Sequence, residues 1–137
     1  MTRRKPRSDL LESIDCSLVE IESYHQADLT LEAWKDSSHL VKKLNEINPY
    51  TLPDPSERNG FFRLRKEAYR LHVDVLEARA SFLHASPEHH NSSGRILALL
   101  QEAIVYARET RIPSLQRLRR KYADLCRRYS DPIVVIP

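Results

Sequence analysis

From Leu11 to Tyr129 apolar side chains recur at alternating separations of three and four residues, a spacing that only an α-helix gathers onto one face. The stripe is plain in Leu11, Ile14, Leu18 and Ile21, and again in Phe61, Leu64, Ala68, Leu71, Val75, Ala78 and Phe82. Strands would need a period of two, and tight hairpins would need glycine, of which the chain has only Gly60 and Gly94. Prolines stand mostly between the periodic segments, at Pro6, Pro49, Pro53, Pro55, Pro87, Pro113, Pro132 and Pro137, where each interrupts a helical hydrogen-bond ladder. The fold class read from this pattern is all-α, a single-domain bundle of about five helices.

The punctuation sets the boundaries. Residues 1–7, MTRRKPR, form a basic arm with nothing to bury. The bundle runs over residues 8–130. Its first helix opens on a Ser8 cap and ends near Gln26. A second is expected from Asp28 or Thr30, either of which can cap it, with Leu31, Trp34, Val41, Leu44 and Ile47 turned inward. The segment NPYTLPDP stops it. A third helix, Ser56 to Ala85, carries two apolar stripes, the second being Tyr69, Val73, Leu76, Ala80 and Leu83, with a break expected near Gly60. The loop SPEHHNSSG precedes a fourth helix, Ser93 to Thr110, holding Ile96, Leu97, Leu100, Ala103, Ile104 and Ala107. The fifth starts at Pro113 or Ser114 and buries Leu115, Leu118, Tyr122, Leu125 and Tyr129. Residues 131–137 form an apolar tail expected to lie extended. No repeat of 30 to 45 residues is visible.

Several classes fall away on composition. No apolar run reaches the roughly 18 residues that span a bilayer, so no membrane partner is expected. The basic start leads into SDLLESID, with three acids and no apolar core, which is not a secretory signal. Cys16 and Cys126 stand alone without a CxxC and read as free, partly buried thiols of an intracellular protein, cytoplasmic or nuclear. RRKPR matches a nuclear-import cluster as well as a solubilising arm.

Chemistry-bearing motifs are sparse. Glu88, His89 and His90, near His84, supply possible zinc ligands, but no HExxH and no cysteine pair completes a tetrahedral set, and a solvated loop accounts for them. There is no GxSxG and no glycine-rich phosphate loop, so no cofactor and no catalytic residue is assigned. Arg79 with His84, and Arg65 with His72, resemble the Arg-x4–6-His signature of the HEPN ribonucleases, themselves small helical bundles. That resemblance implies RNA cleavage. Ala80 and Lys66 stand where the family usually has a polar residue after the arginine.

Charge is the most informative feature left. Ser8 to Asp28 holds Asp9, Glu12, Asp15, Glu20, Glu22 and Asp28 with no lysine or arginine. The fifth helix holds Arg117, Arg119, Arg120, Lys121, Arg127 and Arg128 against Asp124, and the arm adds Arg3, Arg4, Lys5 and Arg7. A net charge of +3 therefore hides one acidic and two basic segments. Three readings compete. The faces could be solvated or paired with each other inside the bundle. The basic helix, the arm and Arg63, Arg65 and Lys66 could converge on RNA or DNA, though few aromatics are interleaved with them. Or opposite faces could steer protein partners.

The expectation taken forward is a non-catalytic, protein-interaction (adaptor or regulatory) domain. Nucleic-acid binding through helix 114–129 and arm 3–7 stands second, and the HEPN-like ribonuclease third. Contact residues are Arg117, Arg120, Lys121 and Arg128, with Ile133, Val134, Val135 and Ile136 of the tail touching a partner or a second copy.

Overall fold

The computed structural model describes residues 9–85 and 93–135, and of residues 130–135 the backbone alone. The expected Ser8 cap, the basic arm, the His89–His90 loop and Ile136 lie outside the described residues. Among those described, the chain is all-helical, with five α-helices and no strand: α1 (Asp9–Gln26), α2 (Thr30–Asn45), α3 (Pro55–Ala85), α4 (Ser93–Thr110) and α5 (Leu115–Val135). No helix there is long and apolar enough to cross a membrane. The helices gather into two compact units, Met1–Leu71 and His72–Pro137, and α3 supplies a wall to each.

In the first unit α1 buries its expected stripe, Leu11, Ile14, Leu18 and Ile21. Cys16, two positions past Ile14 and so on the far side of the helix, is exposed rather than partly buried. On α2 the buried face is Ala33, Ser37, Leu40, Val41 and Leu44, while Leu31, Trp34 and Ile47 are only half-buried. Ala33 and Ser37 contribute small side chains to it, and the Ser37 hydroxyl is satisfied by donating to the Trp34 carbonyl at 3.3 Å. Phe61, Leu64, Ala68 and Tyr69 complete this core from α3, and the Tyr69 phenol donates to the Asn45 side chain of α2.

The start of α3 shows why it begins one residue earlier than expected. The Asp54 side chain accepts from the Ser56 amide at 2.9 Å, and Pro55 fills the first helical position, where its missing N–H costs nothing. No break occurs at Gly60. A Cβ there would stand 3.0 Å from Leu11 Cδ1, so the glycine admits α1 close to α3 rather than bending the helix.

The second unit packs the remainder of α3 against α4 and α5. Here the buried positions of α3 are His72, Val73, Val75, Leu76, Ala80 and Leu83. From Leu76 onward the buried positions are those of the second stripe, Leu76, Ala80 and Leu83, while Ala78 of the first is only half-buried. Phe82, expected in the core as the end of the first stripe, is consequently 50% exposed, with Arg79 lying over its ring at 5.3 Å. On α4 the core positions are Ile96, Leu99, Leu100, Ala103 and Ala107, with Leu97 and Ile104 half-buried. Leu118 and Leu125 anchor α5, flanked by half-buried Leu115, Tyr122 and Tyr129. As bounded, α5 continues through Val135, past Ser130 where its apolar pattern ends, so 131–135 are helical rather than extended. Pro132 falls within this last turn, where it has no N–H to donate to the carbonyl four residues back.

Both helical hairpins turn by one device. At the end of α1 the Leu29 amide reaches back to the Tyr24 carbonyl and Asp28 to His25, with Asp28 at φ 59°. At the end of α4 the Ile112 amide reaches Ala107 and Arg111 reaches Arg108, with Arg111 at φ 54°. These are Schellman closures built without glycine. Asp28 is thus the stop of α1 and not the cap of α2, whose N-cap position is Leu29 with no side-chain hydrogen bond. An arginine in the left-handed region crowds its Cβ against the backbone. Arg111→Gly is expected to raise unfolding free energy by about 1 kcal/mol in urea titration; an unchanged or lowered value would contradict this account of the turn.

Candidate functional site on the charged flank of α5

Helical spacing alone divides the α5 cations. With Leu118 and Leu125 inward, Arg117, Lys121, Asp124 and Arg128 fall on one flank, and Arg120 and Arg127 share the outward side. Within the second unit the flank faces Glu77, Ser81 and His84, themselves spaced four and three apart on α3. The helices run parallel there, because Arg117 meets Glu77 and Lys121 meets Ser81 at the same sequence offset.

Glu77 organises this surface. Its Oε2 accepts from Arg117 Nη1 at 2.7 Å and lies 3.6 Å from Lys121 Nζ, and its side chain is only 13% exposed. Lys121 also donates to Ser81 Oγ at 2.8 Å. Below them, Ala80, Ser81, His84, Lys121, Leu125 and Arg128 line a groove of about 270 Å³, with Asp124 at its edge. The Asp124 carboxylate accepts from Arg127 at 3.2 Å. At the far end His84 Nδ1 and the Tyr129 hydroxyl share a hydrogen bond of 2.8 Å. Burial pushes the Tyr129 phenol above its ordinary range, against the pull of Arg128. The folded state thus holds that proton more tightly than the unfolded chain, so the contribution is present below the ordinary tyrosine range and lost as pH rises through it.

Of the expected contact residues, Arg117 and Lys121 are engaged with Glu77, Arg128 lies in the groove wall, and Arg120 is exposed beside equally exposed Arg119. The backbone of Ile133, Val134 and Val135 forms the end of α5, and their side chains lie outside the described residues. Glu77 and Ser81 were not singled out in the sequence. They are a polar i, i+4 pair on a helix that carries many other polar residues, and that spacing does not reveal what it faces.

The members of each histidine–arginine pair have different neighbours. Arg79 and His84 stand five residues apart on α3, about 140° around the helix, one over Phe82 and the other on Tyr129. Arg65 lies over Phe61, Phe62 and Tyr69 within 6.0 Å of each ring centroid. His72 is fully buried in the second unit, edge-on to Tyr106 at 5.0 Å, with Nε2 3.4 Å from Glu102 Oε2. Among the described residues no group of three or more histidine, cysteine, aspartate or glutamate side chains could hold a metal ion. No family model, no curated protein and no solved structure matches the chain.

Removing the Glu77 charge leaves Arg117 and Lys121 facing each other without an anion between them. Glu77→Gln is expected to cost about 1 kcal/mol of stability at low salt, and less at high salt, as measured by urea unfolding. Equal stability of variant and wild type at low salt would show that the pair holds nothing.

Proposed function

We propose that the chain is a non-catalytic protein-interaction module that uses the charged faces of its helices. The observation that carries this reading is the interleaving of carboxylates with cations on α5. Glu77 lies 2.7 Å from Arg117 and Asp124 lies 3.2 Å from Arg127, beside a groove floored by Ala80 and Leu125. Such a surface suits a protein partner, whose contacts combine apolar anchoring with alternating charge and a polar rim. A phosphate backbone fits it less well, since each carboxylate repels phosphate and the flank's tyrosine is occupied by His84. The exposed cations that neither Glu77 nor Asp124 engages, Arg119, Arg120 and Arg128, would then meet carboxylates of the partner. An apolar contact through Ile133 to Ile136 belongs to the same proposal.

The test uses two probes against the full chain, a fluorescent amphipathic helix of leucine and glutamate, and labelled single-stranded RNA and duplex DNA. Near physiological salt the acidic peptide is expected to bind, and the triple variant Arg119→Glu, Arg120→Glu, Arg128→Glu to lose that binding while keeping its helical circular dichroism. Submicromolar nucleic-acid binding by the wild type, weakened steeply by salt and lost in the triple variant, would overturn this reading and install the nucleic-acid one.

A further inference from the structure

A second surface, on the first unit, carries the opposite charge. Along α1, burial of Leu11, Ile14, Leu18 and Ile21 turns Val19 outward, where it is 66% exposed. Beside it on α3 lie Glu67 and Leu71, one helical turn apart. Together Asp15, Leu18, Val19, Glu22, Glu67 and Leu71 line a groove of about 370 Å³ between these two helices, with Ser23 at its end. Its lining combines the aliphatic side chains of Leu18, Val19 and Leu71 with carboxylates from both helices, Glu22 on α1 and Glu67 on α3, and no lysine, arginine or histidine is among the lining residues. The Ser23 hydroxyl is turned back onto the Val19 carbonyl at 3.0 Å, so it adds no polar demand to the lining, and Gln26 steadies Glu22 through a 3.1 Å hydrogen bond.

We infer that this groove receives a basic amphipathic helix of a partner protein. Aliphatic side chains in the lining need an apolar stripe laid against them, and carboxylates from both helices need cations on both sides of that stripe. The α1 part of the groove, Asp15 to Ser23, is about 12 Å long, room for roughly two helical turns and therefore for two or three apolar anchors. A phosphate surface, whether nucleic acid or lipid headgroup, is disfavoured by the same carboxylates. The acidic run of α1, with no lysine or arginine between Ser8 and Asp28, extends the attractive field beyond the groove and should speed encounter at low salt. This surface and the α5 flank take partners of opposite charge, so one can fail without the other.

The experiment titrates the full chain with a fluorescent helix of leucine and lysine, roughly fourteen residues long with its leucines on one face, and reads anisotropy. Saturable binding is expected. Val19→Asp should weaken it at least tenfold or so, since the centre of an anchored groove carries most of the affinity, although a mere charge attraction would be strengthened by the added carboxylate. Glu22→Lys with Glu67→Lys should also weaken it and remove its salt dependence. Neither variant should change helical circular dichroism or binding of the leucine–glutamate peptide. Unchanged affinity in Val19→Asp would overturn the inference. So would binding that emerges only after Arg3, Arg4, Lys5 and Arg7 are replaced by Gln, which would assign the groove to the chain's own arm. A wild-type dimer in sedimentation that Val19→Asp dissociates would overturn it too, in favour of a second copy.

Discussion

The helix α3 supplies buried side chains to both units. The helix runs 31 residues without interruption, and its apolar positions form two stripes rather than one. Phe61, Leu64 and Ala68 of the first stripe are buried in the first unit, and Leu76, Ala80 and Leu83 of the second are buried in the second unit. A helix of ordinary amphipathicity would offer one face and wet the other. Because α3 supplies buried side chains to both units, each needs only one hairpin to complete three helices, α1 with α2 in one and α4 with α5 in the other. The elements around α3 inherit their constraints from it: the close approach of Leu11 at Gly60, the bond from Tyr69 to Asn45, and the parallel seating of α5 along Glu77 and Ser81.

The charged faces follow from that seating. Once Leu118 and Leu125 are inward, helical geometry places Arg117 and Lys121 against α3, and Glu77 is the anion that meets them. A half-exposed ion pair contributes little by itself. Its larger effect is on what remains available, since Arg117 and Lys121 already meet a carboxylate of this chain while Arg119, Arg120 and Arg128 are exposed. On α1 the same logic gives the opposite result. The buried stripe leaves its carboxylates and Val19 on the outer side, an arrangement of aliphatic and acidic groups that the charge count alone does not disclose.

Much of the architecture was legible in the residues. Alternating three-four spacing located the five described helices, though α3 begins at Pro55 rather than Ser56 and α5 at Leu115 rather than Pro113 or Ser114. What escaped depends on distant partners. Trp34 has the larger apolar surface, yet Ala33 and Ser37 are buried and Trp34 only half so, because small side chains let helices approach and size cannot be ranked without knowing the neighbour. Phe82 continues a stripe that is no longer covered, which periodicity cannot register. Arg111 and Asp28 close their helices in a conformation usually left to glycine, so composition concealed both stops. The candidate site was half visible: the cations of α5 were in view, but Glu77 stands forty residues away from Arg117 and gains its meaning only when α3 and α5 are side by side.

If α3 is the common wall, its amides should be the last to open in each unit. Site-resolved hydrogen exchange measures this directly. The account predicts that amides from Leu64 to Leu71 exchange more slowly than any in α1 or α2, and that those from Val73 to Leu83 exchange more slowly than any in α4 or α5. Faster exchange in either half of α3 than in the hairpin packed against it would contradict the claim that the fold is built on this helix.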